Sequence, residues 1–337
     1  MRLAAALSRS SDARSFAACF AATVVLAAGL LAALTLWRDP YWVFRDNPPW
    51  TRDGVGASRL LDVEMRLIKP LQIARLKPQT LLIGSSVVYR GLDPRDVSAA
   101  VGQVYNAGFS ALMARELPVL AALAVDVGSV RRVVIELDYF MFTTWPPPPP
   151  IDRKLATVAG RREALVSVVL NPKVIDNLLG RRSLRTEPGL WHGDGYKATP
   201  DFDAELVGKI TREQNIAAMA YRPGDLAYLD RTLDLLRGWE ITIVLSPMSA
   251  AQRHLIEAGG RGAELAAWRQ DLASLAARRG LPFHDFVSDH PFEDFDPGKA
   301  SSRYWLDTLH FKPEVGRWLL GRIGLGRHPA GAGATSG

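Results

Sequence analysis

The 337-residue chain has one cysteine, Cys19, so it can form no internal disulfide and no cysteine-based metal site. It also lacks blocks of charge. Its formal net charge of +6 is spread along the chain, with no run of five like charges and no interleaving of basic and aromatic residues. That pattern argues against a nucleic-acid partner and leaves a general affinity for anionic surfaces. No internal repeat is present, and Gly and Pro are not in excess, so the bulk is a globular chain with ample apolar content for a core. The histidines do not fall into a metal-binding order. His192 and Asp194 share a Gly-rich loop, and His284 and His290 flank Asp285 and Asp289 without a HExxH spacing. Neither a metal nor an organic cofactor is expected.

What the chain does have begins at its N-terminus. Phe16 to Trp37, "FAACFAATVVLAAGLLAALTLW", carries no charge. It is long enough to cross a hydrocarbon core of ~30 Å as a helix. Arg2, Arg9 and Arg14 precede it and Asp39 follows, which places residues 1–15 in the cytoplasm and the rest outside. Trp37, Tyr41 and Trp42 read as an interfacial aromatic belt. A signal peptide's apolar region usually runs only ~7–15 residues, so an uncleaved anchor in the cytoplasmic membrane is favoured. Lipidation of Cys19 would require the apolar run before it, and here the run follows.

Residues 38–77 read as an irregular juxtamembrane segment and then a helix over Leu60 to Leu76, which Pro70 should kink or end. Beyond it, apolar runs at 80–84, 103–108, 131–140, 241–247 and 282–287 alternate with helical patterns at 94–101, 112–126, 225–237 and 261–279. That alternation predicts an α/β fold of three layers, α/β/α, around a central parallel sheet over residues 78–325. Sites in such folds form at the carboxyl ends of strands. "WPPPPP" at 145–150 opens a stiff segment. Residues 145–222 read as a mainly helical insertion without a clear strand, and 326–337 as a low-complexity, disordered tail.

Two motifs carry chemistry. In "LLIGSSVVYRG", Leu81 to Gly91, an apolar strand ends in Gly84-Ser85-Ser86 beside the start of a helix, where backbone N–H groups favour a developing anion. Serine needs a base to be nucleophilic, and both serines also suit a turn or helix cap. In "YWLDTLHFKPEVG", Asp307 and His310 stand three residues apart before a helix that Pro313 opens. There Asp307 could hold the imidazole tautomer while the other ring nitrogen accepts a proton. A surface Asp and a partly buried His would give the same pattern. Arg90, after the serine turn, suits an anionic substrate group or a plain surface position. Trp145, Trp191 and Trp305 suit either a sugar-stacking cleft or packing.

Taken together, a GSS turn after the first strand and a DxxHF before the last helix resemble the SGNH/GDSL hydrolase superfamily, in an order that fits residues 78–325. The layout is similar to divergent, membrane-anchored members such as the teichoic-acid D-alanyl transfer protein and alginate O-acetyltransferase components. The resemblance implies Ser86 as nucleophile, His310 as base and Asp307 as its orienter. It also implies an oxyanion hole from the Ser86 and Gly108 N–H groups, with Asn106 and Ser110 close by. The family's Gly-x-Asn block after the third strand is missing. "IELDYF" offers Glu136 and Asp138 instead, and Asn106 or Arg90 is the expected substitute donor. The implied activity is serine-dependent O-acyl transfer or ester hydrolysis on a cell-envelope polysaccharide. The implied partners are the glycan, an acyl donor and a multi-span membrane O-acyltransferase. The competing expectation is a non-catalytic glycan-binding or assembly partner of such an acyltransferase.

Overall fold

In a computed structural model, the described residues are 2–178, 188–214, 216–293 and 295–327. Most of the expected C-terminal tail, residues 328–337, lies outside them. The elements run α1 (Arg2–Arg38), β1 (Val55–Gly56), α2 (Arg59–Leu76), β2 (Thr80–Gly84), α3 (Ser86–Gly91), β3 (Val104–Gly108), α4 (Leu117–Val127) and β4 (Arg132–Leu137). The insertion follows with α5 (Val158–Val169), α6 (Lys173–Leu178), β5 (Leu190–His192), β6 (Lys197–Ala198) and α7 (Ala204–Glu213). The chain then returns through α8 (Leu226–Leu235), β7 (Glu240–Leu245), α9 (Ala250–Ala258), α10 (Gly262–Arg279), β8 (Phe283–Asp285) and α11 (Pro313–Arg322).

The central sheet is parallel throughout, in the order β3-β2-β4-β7-β8. Its strands are the five apolar runs. Side-chain alternation divides them between two cores. Leu81, Ile83, Val133, Ile135 and Ile243 face one side, with residues of α2, α4, α8 and α10. Leu82, Val134 and Val244 face the other, with Val87, Val88 and residues of α11. This is the expected three-layer α/β/α architecture. Because β3 and β4 lie on opposite sides of β2, the crossovers diverge there, and a crevice opens at the carboxyl ends of β2 and β4.

Several local expectations give way. Helix α2 does not end at Pro70. The proline is buried within it, and the departure from helical dihedrals falls at Glu64 (φ −112°, ψ 20°). Residues 94–101 form only two short 3₁₀ turns, each capped by its own Asp93 or Ser98 side chain. The insertion, helical for much of its length, also carries β5 and β6, and β5 pairs antiparallel with β1. Tyr41 and Trp42 are not an interfacial belt, since both are fully buried in the core, while Trp37 stays exposed. Trp191 and Trp305 are also core residues.

Helix α1 contains one stretch, Ala13–Arg38, long and apolar enough to cross a membrane. Its last turns meet the domain, with Leu31 against the core and Thr35 buried. Asp39 ends it at a positive φ of 45°. The Asp39 carboxylate accepts the N–H groups of Val43, Phe44 and Arg45, which fixes the chain's exit from the helix.

Candidate active site

Strand β2 ends at Gly84, where nothing larger fits. A Cβ there would come within 2.4 Å of Val88 and 2.5 Å of Glu136 Oε2. Ser85 then caps α3, its hydroxyl oxygen accepting Val87 N–H at 3.1 Å. Ser86 is the first residue of that helix, where an N–H has no intrahelical partner. Of the two serines, Ser85 holds the turn and Ser86 faces a cavity.

The second half of the site is a tight loop before α11. It is closed by a bridge between Trp305 and Phe311 and by Leu306 N–H donating to His310 O at 2.8 Å. Inside the loop, Asp307 Oδ1 accepts Leu309 N–H at 2.8 Å and His310 N–H at 2.9 Å. Its other oxygen pairs with His310 Nδ1 at 2.7 Å. The three-residue spacing therefore works through the backbone: one carboxylate oxygen shapes the turn and the other orients the ring. Outside the loop, Ser249 Oγ donates to Thr308 O at 2.7 Å and Gln214 Nε2 to Thr308 Oγ1 at 2.6 Å.

The two halves meet. His310 Nε2 lies 2.8 Å from Ser86 Oγ, across 224 residues of sequence. Asp307 is fully buried, and Ser86 and His310 are buried with their edges open to the cavity. Burial would push the Asp307 carboxyl up, but His310 and the two backbone N–H groups outweigh it and hold it below the usual Asp value. An anionic Asp307 fixes the proton on Nδ1 and leaves Nε2 free to take one from Ser86.

A cavity of about 290 Å³ opens over this pair, with Tyr89, Ser110, Phe140, Trp145 and Met248 among its walls. A larger hollow of about 610 Å³ lies between α2, Pro148–Pro150 and α5, and Ser110 lines both. Most charged residues along the larger hollow are paired: Glu64 with Lys173, Arg66 with Glu116, Asp62 with Lys197 and Lys154 with Glu163, while Asp152 accepts the Lys154 N–H.

No family model matches the chain, and no curated protein matches it. Solved structures that resemble it include a protein from Streptococcus pneumonia described as a platelet activating factor. It shares 12% identity at a TM-score of 0.38, over 78% of this chain and 93% of that one. The M. smegmatis aryl esterase, native and inhibitor-bound, shares 16% identity at a TM-score of 0.31, over 73% of this chain and 98% of that one. Superpositions this loose leave the site to be read from its own geometry.

The oxyanion donors need correction. Asn106 is not available. Its Nδ2 donates to Val88 O at 2.9 Å and Leu92 O at 2.7 Å, tying β3 to α3. Its Oδ1 accepts Gly108 N–H at 3.0 Å, so that expected donor is engaged too. Ser110 N–H is directed at Met65 Sδ at 3.0 Å. Ser86 N–H keeps its place at the helix start. Arg90 lines the cavity but is buried. Its guanidinium donates to Thr199 Oγ1 at 3.0 Å and lies over the rings of Tyr89 and Phe202. Of the three tryptophans, Trp145 alone lines the cavity.

Two further features shape the site, and the first escaped the sequence reading. Lys69 is fully buried, and its ammonium donates to Asn106 O (2.9 Å), Gly108 O (2.6 Å) and Gly195 O (2.9 Å). The rings of Tyr89, Tyr105, Phe109 and Trp191 surround it at 5.2–5.9 Å. Burial pushes Lys69 well below the usual lysine value. Three carbonyl acceptors nevertheless call for three donors, which only the ammonium form supplies. Lys69 thus pins the end of β3 beside the site. Its signal was a lysine within the apolar spacing of α2. The second feature is Glu136 with Asp138, two residues apart at the end of β4 and both buried. The sequence already placed both carboxyls at the end of that strand, and strand alternation puts them on one face.

Proposed function

We propose that this protein is a serine-dependent acyl-transfer enzyme, acting as an esterase or O-acyltransferase. The observation that carries the reading is the chain of contacts from Ser86 Oγ to His310 Nε2 (2.8 Å) and from His310 Nδ1 to Asp307 (2.7 Å), at the floor of a cavity. Ser86 Oγ attacks the acyl carbonyl as His310 takes its proton. The tetrahedral oxyanion forms beside the Ser86 N–H. On collapse, His310 returns the proton to the leaving oxygen, and the acyl group stays on Ser86. A water or hydroxyl acceptor then attacks that ester, with His310 as its base. No step calls on a metal or organic cofactor.

The acceptor we propose is a polysaccharide of the cell envelope. Two features support it: the hollow of mostly paired charges that shares Ser110 with the Ser86 cavity, which suits a polyhydroxyl chain, and the apolar α1 packed against α5, which lines that hollow. In this reading α1 anchors the protein in the cytoplasmic membrane with the domain exported, where a multi-span membrane O-acyltransferase would supply acyl groups. The engaged Asn106 and Gly108 donors favour the second reading, a glycan-binding partner that performs no chemistry. Turnover of p-nitrophenyl acetate separates the two. Wild type should turn over and Ser86→Ala should not; equal rates from both would remove the enzyme reading.

A further inference from the structure

We propose that Asp138 is a catalytic residue, holding the proton of a shared-proton carboxyl pair with Glu136 and donating a hydrogen bond to the oxyanion. This rests on the reading of Ser86 as nucleophile and deepens it.

The geometry comes from Ser85. Its N–H points at Glu136 Oε2 (3.4 Å) and its hydroxyl donates to Asp138 Oδ2 in a short bond. The residue before the nucleophile thus fixes both carboxyls. Glu136 is wholly enclosed, while Asp138 reaches the cavity wall that Ser86 and His310 also line. Glu136 Oε1 is buried without completing a hydrogen bond, although Ser246 and Asp138 sit beside it. Neither carboxyl has an ion-pair partner among the described residues. The groups facing the pair are Ser85 from the start of α3, Ser246 from the end of β7, His310 from the loop before α11 and the Met141 sulfur.

Two adjacent carboxyls enclosed this way cannot both be charged, so the pair keeps one proton. Burial pushes both upward, Glu136 the further. At rest the proton can lie on Glu136. Negative charge developing in the cavity draws it to the cavity-side member, and Ser85 N–H then supports the charge left on Glu136. The proton never leaves the pair, and it returns when the oxyanion collapses. This supplies a donor where the Asn106 amide and Gly108 N–H are engaged elsewhere.

The test is the rate of fluorophosphonate labelling of Ser86 in the full-length protein, followed from about pH 6 to about pH 9, a range above the ordinary carboxylate values. Asp138→Asn, which carries a permanent amide donor, should label within about threefold of wild type at pH 7, whereas Asp138→Ala should lose ~10²–10³. The ratio of wild-type to Asp138→Asn rate should fall towards alkaline pH, as the pair loses its proton. Glu136→Gln should move that fall to lower pH, because a lone Asp138 ionises more readily. The proposal is overturned if Asp138→Asn labels as slowly as Asp138→Ala, or if the ratio is flat or rises with pH. A wild type that does not label overturns the nucleophile assignment itself, and this proposal with it.

Discussion

At the scale of single residues, Asp307 has two separable duties. One oxygen shapes the loop through the Leu309 and His310 N–H groups, and the other holds the His310 ring. Asp307→Asn keeps the size but permits the wrong imidazole tautomer, so turnover should fall by about 10⁴. Melting temperature should fall modestly. A loss of turnover under tenfold would show that the contact does not orient the ring. Asp307 also links stability to pH. Its folded value lies below the usual Asp value that holds in the unfolded chain, so the unfolded chain binds its proton first on acidification. The stabilisation is complete above the unfolded value and is lost as pH falls through the folded one. Denaturant midpoints from about pH 6 down to about pH 3 should therefore fall more steeply for wild type than for Asp307→Asn.

At the scale of elements, the site depends on α3 and α11 crossing closely. A Cβ on Gly316 would lie 1.8 Å from Gly91 O, and one on Gly91 would lie 2.1 Å from the Phe311 ring. These glycines let the Ser86 helix meet the chain that carries His310. Gly316→Ala should cost about 1–3 kcal/mol through overpacking and reduce turnover more than its small size suggests, because it pushes the two halves apart. Unchanged stability and turnover would mean the crossing is not under this constraint.

The strands and the order of the site residues were legible for related reasons: buried parallel strands are uninterrupted apolar runs, "GSS" marks where β2 hands over to α3, and "DxxHF" marks the loop that opens α11. Other features depended on partners distant in the chain. The pairing of β5 with β1 joins segments far apart. Trp191 is core because Asp62 of α2, Lys69, Tyr89 and β1, all distant in the chain, meet it. Asn106, read as a donor, is drawn inward by Val88 O and Leu92 O. Pro70 was expected to kink or end α2, but the helix runs on through it, and burial of that face outweighs the one hydrogen bond it removes.

At the scale of the molecule, helix α1 joins the domain without a flexible linker. Thr35 and Asp39 are buried, as are Tyr41 and Trp42 just beyond. Removal of residues 2–30 should release the protein from the membrane fraction while leaving its melting temperature nearly unchanged. Removal of residues 2–45 deletes the Asp39 turn and the fully buried Trp42, a loss of about 3–5 kcal/mol from the tryptophan alone, and should lower it sharply. Membrane fractionation with thermal melting distinguishes the outcomes, and equal melting of both truncations would contradict the fixed junction.

The central claim is that Ser86, activated by His310, is a nucleophile at the end of β2. It is tested most directly by treating the full-length protein with a fluorophosphonate and locating the adduct by peptide mass spectrometry. One adduct on Ser86, absent from Ser86→Ala and strongly slowed in His310→Ala, is the expected result. A folded wild-type protein that takes up no label, or takes it up on Ser85, would contradict the account.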